Sequence, residues 1–281
     1  VKDVMRTLQQ HKMKVIAFAI TILSFCGVSL LTYCSLHEND TDQNSAHPTE
    51  RADILPYLDI KEIKPNYALP FCEKKNCIEI DIQSLNTQEG WVNQWIADSQ
   101  SRVIQDQIGL KQVMTLQQAI DAYVRKSDLW QEKLTQYLPY ELHMQTRIAA
   151  QRNQYVLLQI IVNSKQEEVI VKDRGYFFVA DRKTQKKVSI LDVINPKQQN
   201  ELNRIVQEHY SQWLAQQSAE VKKTAPKKLY WGQNDWFFDN EGLGIHYRAS
   251  EITEKGTQLD IYLTKAQTQK ILKPEVYQKM F

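Results

Sequence analysis

From Val15 to Leu36 the chain reads VIAFAITILSFCGVSLLTYCSL, without a single charged residue. A stretch of this length matches the ~20 apolar residues needed to cross a bilayer core. A core helix of a globular domain shows a polar face every ~3.6 residues, and this stretch shows none. Lys2, Arg6, Lys12 and Lys14 precede it, while Glu38, Asp40 and Asp42 follow. That asymmetry places residues 1–14 in the cytoplasm and everything beyond residue 36 outside it. Two anchors fit residues 15–36. One is an uncleaved transmembrane segment. The other is a lipoprotein signal that starts at Met13 and ends at Cys34 as the lipid attachment site, although Tyr33 is large for the position before such a cysteine. Residues 37–53 are polar and poor in apolar side chains, as a tether is. The expected location is the bacterial cell envelope, with residues 54–281 held by the membrane and facing the periplasm.

Composition narrows what that exported part can do. Of 281 residues 42% are hydrophobic, which is enough for a proper core. The net charge is +2 and like charges do not cluster, so no nucleic-acid surface is expected. Only 8 glycines occur and none forms GxGxxG or a P-loop, so no nucleotide cofactor is expected. Cys72 and Cys77 flank four residues in PFCEKKNC. In an oxidising compartment the natural reading is a small-loop disulfide. Zinc would need four ligands, and neither a nearby histidine nor a second cysteine pair supplies them.

The patterning along residues 54–281 reads as α+β, an antiparallel sheet packed with helices and preceded by the one N-terminal hydrophobic helix. Tyr57 to Ile63 and Cys77 to Ile82 alternate as strands do. Trp91, Trp95, Ile96, Val103 and Ile104 recur at helical spacing, with Asn86-Thr87 available as a cap. Thr115 can cap a second helix bearing Leu116, Ala119, Ile120, Tyr123 and Val124. Tyr140 to Ile148 and Tyr155 to Val162 read as strands joined by a turn at Gln151-Arg152-Asn153, and Tyr176 to Asp181 as another. Residues 182–186 form a turn leading into Val188 to Ile190, and Asn195-Pro196 opens a helix that runs to Trp213. Trp236 to Phe238, Leu243 to Tyr247 and Gln258 to Leu263 make a three-strand meander. Strands and helices come in clusters, which argues against a doubly wound fold. A weak sub-boundary is expected near residue 165.

Catalytic signatures are missing. His11, His37 and His47 lie before the domain, and His143, His209 and His246 have no partner at motif spacing; HExxH and GxSxG do not occur. Glu167-Glu168 reads as a solvated strand edge or turn. The aromatic run Tyr230-Trp231 to Trp236-Phe237-Phe238 is the most informative feature, because Tyr and Trp dominate binding hot spots. Trp236 and Phe238 are assigned to the core. Tyr230 and Trp231, beside Lys227-Lys228, are placed on the rim of a surface site. Together with His246, Tyr247, Ser250 and Glu251 they form the expected ligand-binding surface. No catalytic and no metal-ligating residue is expected.

The run from Phe177 to Ile194, the run from Trp236 to Tyr247 and the strand Gly256 to Leu263 resemble, in that order, the RsiV-like extracellular domain family, which also occurs beside deacetylase domains in PdaC-like proteins. A fainter similarity covers Cys72 to Ile108. The resemblance implies an α+β domain displayed outside the membrane that recognises cell-wall-related ligands, lysozyme in the RsiV-like anti-sigma factors. Residues 1–14 are short for wrapping a sigma factor, and the metal-binding deacetylase motif is missing, so neither activity is carried over. Residues 248–252 lack the proline and tyrosine often found there in the family. The expected function is a membrane-tethered binding module for lysozyme or a peptidoglycan fragment. The alternatives are a wall-modifying hydrolase using His246 with an acidic partner, and a structural envelope protein.

Overall fold

A computed structural model of the chain describes residues 55–72, 77–133, 138–253 and 258–281. The expected anchor, Cys34 and the expected tether lie outside the described residues. Among the described residues no helix is long and apolar enough to cross a membrane.

The domain is α+β. Its centre is a five-stranded sheet in the order β2 (Glu79–Ile82), β4 (Glu141–Arg152), β5 (Tyr155–Gln166), β6 (Val169–Asp181) and β7 (Lys186–Lys187). All pairings but one are antiparallel: β2 runs parallel to β4, with Ile80 opposite Leu142. That corrects the wholly antiparallel expectation. The reason is topological, since the chain leaves β2 and returns to β4 through helices α1 (Gly90–Gln107) and α2 (Leu116–Gln131), and a helical crossover brings a strand back parallel. A two-stranded ribbon of β1 (Ile60–Ile63) and β3 (Ser84–Thr87) lies apart from this sheet. The long hairpins turn at Asn153 and Glu167, both at positive φ (50° and 55°), as tight hairpin turns demand. Glu167 thus serves a turn, and its carboxylate accepts a hydrogen bond from the Tyr140 hydroxyl at 3.1 Å.

Strand β5 shows why the molecule has two cores. A strand alternates its side chains between faces, yet Tyr155, Val156, Leu157 and Leu158 are all buried, so the sheet is covered on both sides there. On one side Val156, Leu158, Ile160 and Val162 pack against Val92, Trp95, Ile96, Val103 and Ile104 of α1 and Ile120 and Tyr123 of α2. On the other, Tyr155, Leu157 and Val179 meet the C-terminal part of the chain. That part comprises helix α3 (Ile190–Val193), a 3-10 turn Pro196–Gln198, helices α4 (Gln199–Ala215) and α5 (Ala219–Thr224), and strands β8 (Asp235–Phe238) and β9 (Leu243–Tyr247). Helix α6 (Ala249–Ile252), strand β10 (Leu259–Tyr262) and helices α7 (Lys265–Ile271) and α8 (Pro274–Met280) complete it. The expected meander is present in the order β10-β9-β8. The sub-boundary expected near residue 165 falls within β5, where Lys165 pairs with both Glu141 and Ile170. The two cores share one sheet instead of dividing the chain.

Local expectations fared unevenly. Thr115 does cap α2, in a capping box with Gln118. Thr87 instead ends β3 and binds the Asn93 side chain, so that Glu89 occupies the cap of α1. Residues 188–190 form no strand, because Ser189 and Asp192 close a capping box that starts α3. Helix α1 also turns polar residues inward. The Gln100 amide is buried, donates to Thr146 Oγ1 at 2.9 Å and accepts from Ser84 Oγ at 3.1 Å, fixing the helix to two strands without an orphaned polar group.

Candidate functional site: a cleft between α1 and the meander

Between helix α1 and strand β8 lies an open cleft of about 730 Å³, in the range of small-molecule and peptide sites. Its floor is the end of β6, from Tyr176 to Val179. One wall is a stripe of α1 (Trp95, Asp98, Arg102, Asp106), residues that share a helix face at intervals of three and four. Asp235, Trp236 and Arg248 form the other. The loop after α1 makes the rim, pinned by Gln105 Oε1, which accepts from the Gln112 amide at 2.8 Å, and by Ser101 Oγ, which donates to Met114 O at 2.8 Å. On this fixed loop Val113 is fully exposed.

One end of the cleft is charged. The Arg248 guanidinium stacks over Tyr176 at 4.7 Å from the ring centre, donates to Glu251 Oε1 at 2.6 Å and lies 3.6 Å from Asp106 Oδ2. The same Asp106 oxygen accepts from the Tyr176 hydroxyl at 2.6 Å, and Gln107 donates to that hydroxyl at 2.7 Å. Burial and then Asp106 push the Tyr176 phenol well above its ordinary value. Burial works against the Arg248 cation, but Asp235, Glu251 and Asp106 outweigh it and push its pKa up. Asp235 is raised, chiefly by burial, with Arg248 opposing. Its Oδ2 accepts from the Phe177 amide at 3.2 Å, and among the described residues no cation lies within salt-bridge distance of it.

Behind Asp235 runs a single rung of the meander, in which Asp235, His246 and Asp260 stand opposite one another on three strands. His246 Nδ1 faces Asp260 Oδ1 at 2.6 Å and Nε2 faces Gly175 O at 3.1 Å. An acidic partner for His246 therefore exists. Both ring nitrogens are nonetheless occupied within the protein, which suits a positioning role better than proton transfer to a ligand.

The expected ligand surface is not one surface. Trp231, His246 and Tyr247 are buried, at 6%, 1% and 2% exposure; they belong to the C-terminal half's interior because β9 is covered on both faces. Tyr230 is exposed, stacked on Trp231, and is not part of the cleft. Glu251 is exposed and reaches the site through Arg248 and through Asn234, whose Nδ2 donates to Glu251 Oε2 at 3.3 Å. The Ser250 side chain lies outside the described residues. Trp236 and Phe238 are core, as expected, and Cys72 and Cys77 form a disulfide. Asp106, Arg102, Asp235 and Arg248 were missed. Asp235 and Arg248 immediately flank the strands that were recognised, and Arg102 and Asp106 sit one turn apart on a helix whose apolar stripe had been traced. A search for charges bordering apolar faces would have found all four. Among the described residues no group of three or more His, Cys, Asp or Glu is placed to hold a metal ion.

A meander facing an α1-covered sheet across such a cleft defines an α+β domain with a preformed ligand-sized groove. In fold it is similar to two crystal structures of DUF3298 family proteins. One, from Pseudomonas aeruginosa PAO1, is 15% identical, with a TM-score of 0.56, and covers 79% of this chain and 97% of that one. The other, from Bacteroides fragilis NCTC 9343, is 11% identical, with a TM-score of 0.54 and the same coverage. The likeness is one of fold, coarser than the RsiV-like resemblance. No family model and no curated protein matches the sequence.

Proposed function

We propose that the chain is a membrane-tethered module of the bacterial cell envelope that binds a cell-wall-related ligand, lysozyme or a peptidoglycan fragment, in the α1–β8 cleft. The observation that carries this reading is the cleft itself: ligand-sized, walled by a helix and a strand, and lined by three charges, Arg102, Lys111 and Asp235, that have no ion-pair partner among the described residues. The ordered resemblance of residues 177–263 to the RsiV-like domain and the DUF3298-type fold support it. Calorimetry of the full chain against lysozyme and against soluble muropeptides tests it. Heat of binding to either, lost on blocking the cleft with Trp at Val113, is expected; silence with both ends the proposal.

The rival, a wall hydrolase, draws on the His246–Asp260 pair. Peptidoglycan cleavage by the wild type that disappears in His246→Ala, in a protein whose circular dichroism is unchanged, would replace binding by catalysis.

A further inference from the structure

The charges of the cleft do not cancel locally. Lys187 and Asp98 are 3.7 Å apart, and Arg248 is engaged by Glu251 and Asp106. That leaves Asp235, half-buried in the wall, with no cation at ion-pair distance among the described residues, Arg248 acting on it only from further away. It also leaves Arg102 and Lys111, both exposed, without a carboxylate among the described residues. The free negative charge is thus at the Tyr176 end of the floor, and a free positive charge is on the helix one turn, about 6 Å, before Asp106. A neutral sugar would leave all three charges unanswered. A simple anion or cation would answer only one side.

We infer that the cleft holds a short zwitterionic peptide, with an ammonium against Asp235 and a carboxylate against Arg102 and Lys111. Asp235 suits an ammonium because the fold has already stripped much of its water, so little hydration is lost when the cation arrives. Oδ2 is held by the Phe177 amide, which fixes the carboxylate's direction in advance. The side-chain amides of Gln112 and Gln233 also line the cleft and are uncommitted among the described residues. Each offers a donor and an acceptor, as a peptide bond requires. Val113 at the rim supplies apolar contact for a side chain.

The inference rests on the cleft being the ligand site, and it names the peptide part of a wall fragment as what is bound. The test uses calorimetry of the full chain with four probes: the tripeptide L-Ala-D-isoglutaminyl-L-Ala, charged only at its two ends, its N-acetylated and C-amidated form, chitotetraose and lysozyme. The free tripeptide is expected to bind at least about tenfold more tightly than the capped one, as loss of a charge-assisted contact implies. Asp235→Asn retains an oxygen for the Phe177 amide and is expected to abolish that difference at the ammonium end. Lys111→Glu, on an exposed residue, is expected to weaken the free tripeptide alone. Equal binding of free and capped tripeptide overturns the inference, as does an unchanged Asp235→Asn. Binding of chitotetraose or lysozyme without the tripeptide also overturns it, while sparing the wider proposal; silence with every probe overturns both.

Discussion

Single residues in this domain carry unequal loads, and the difference follows from what is left behind when they are cut. Arg182 has a side chain only 2% exposed; it is held by Glu89 and donates from Nη1 to Pro56 O at 2.7 Å. Removing the partner strands a buried charge, so Glu89→Ala is expected to cost about 3–5 kcal/mol in urea unfolding; a loss under about 1 kcal/mol would show that Pro56 O alone suffices. Tyr176→Phe removes one of the two acceptors of the buried Gln107 Nε2, leaving Val103 O, and the hydroxyl that donates to Asp106, and is expected to cost about 1–3 kcal/mol. Asp235 acts in the opposite sense. Its folded pKa is raised above 3.8, so in the window just above 3.8 the folded state holds the proton longer than the unfolded chain, and stability falls as pH rises through it. Asp235→Asn is therefore expected to melt higher than wild type at pH 7 and to converge with it below pH about 3.8. A lower melting temperature at pH 7 would contradict the assigned burial penalty.

Elements were legible where a local rule decided them. The α2 cap, the long hairpin strands and the meander follow from periodicity and turn residues. What escaped was set by long-range pairing: Thr87 reads as a helix cap until β1 pairs with it, and the parallel β2–β4 pairing is invisible without the crossover. The burial of His246 and Tyr247 was equally hidden, because a polar residue in a strand looks exposed unless the second covering layer is known. The candidate site was barely legible, since its walls come from residues 95–106 and 235–248. The meander also contains close approaches that sequence alone does not reveal. A Cβ on Gly244 would lie 2.1 Å from Phe237 Cζ, and that ring is wedged between Phe177 and Tyr262 at 5.0 and 5.7 Å. Gly244→Ala is expected to cost about 1–3 kcal/mol by overpacking. Adding Phe237→Leu is expected to recover part of that loss; no recovery would place the strain elsewhere.

At the scale of the whole molecule, the C-terminal part packs on Tyr155, Leu157 and Val179 of the sheet face, and meets the outer edge of β6 with little strand pairing. Val188 N donates to Val179 O at 2.8 Å, but further along the edge side chains stand in for a strand: Asp235 takes the Phe177 amide and His246 meets Gly175 O. Side-chain contacts of this kind are fewer than a ladder's, so the meander is expected to open before β4 and β5 do. In His246→Ala, hydrogen exchange of β8–β10 should quicken while β4 and β5 keep their protection; uniform quickening would mean one cooperative unit. The cleft is the mouth of this seam, with one wall on each side of it. A molecule lodged there works as a bolt across a hinge: every opening must first expel it, and proteolysis within β8–β10 slows in proportion to occupancy. Protease resistance then becomes an assay for capture that works on crude wall digests, before the captured species has been identified.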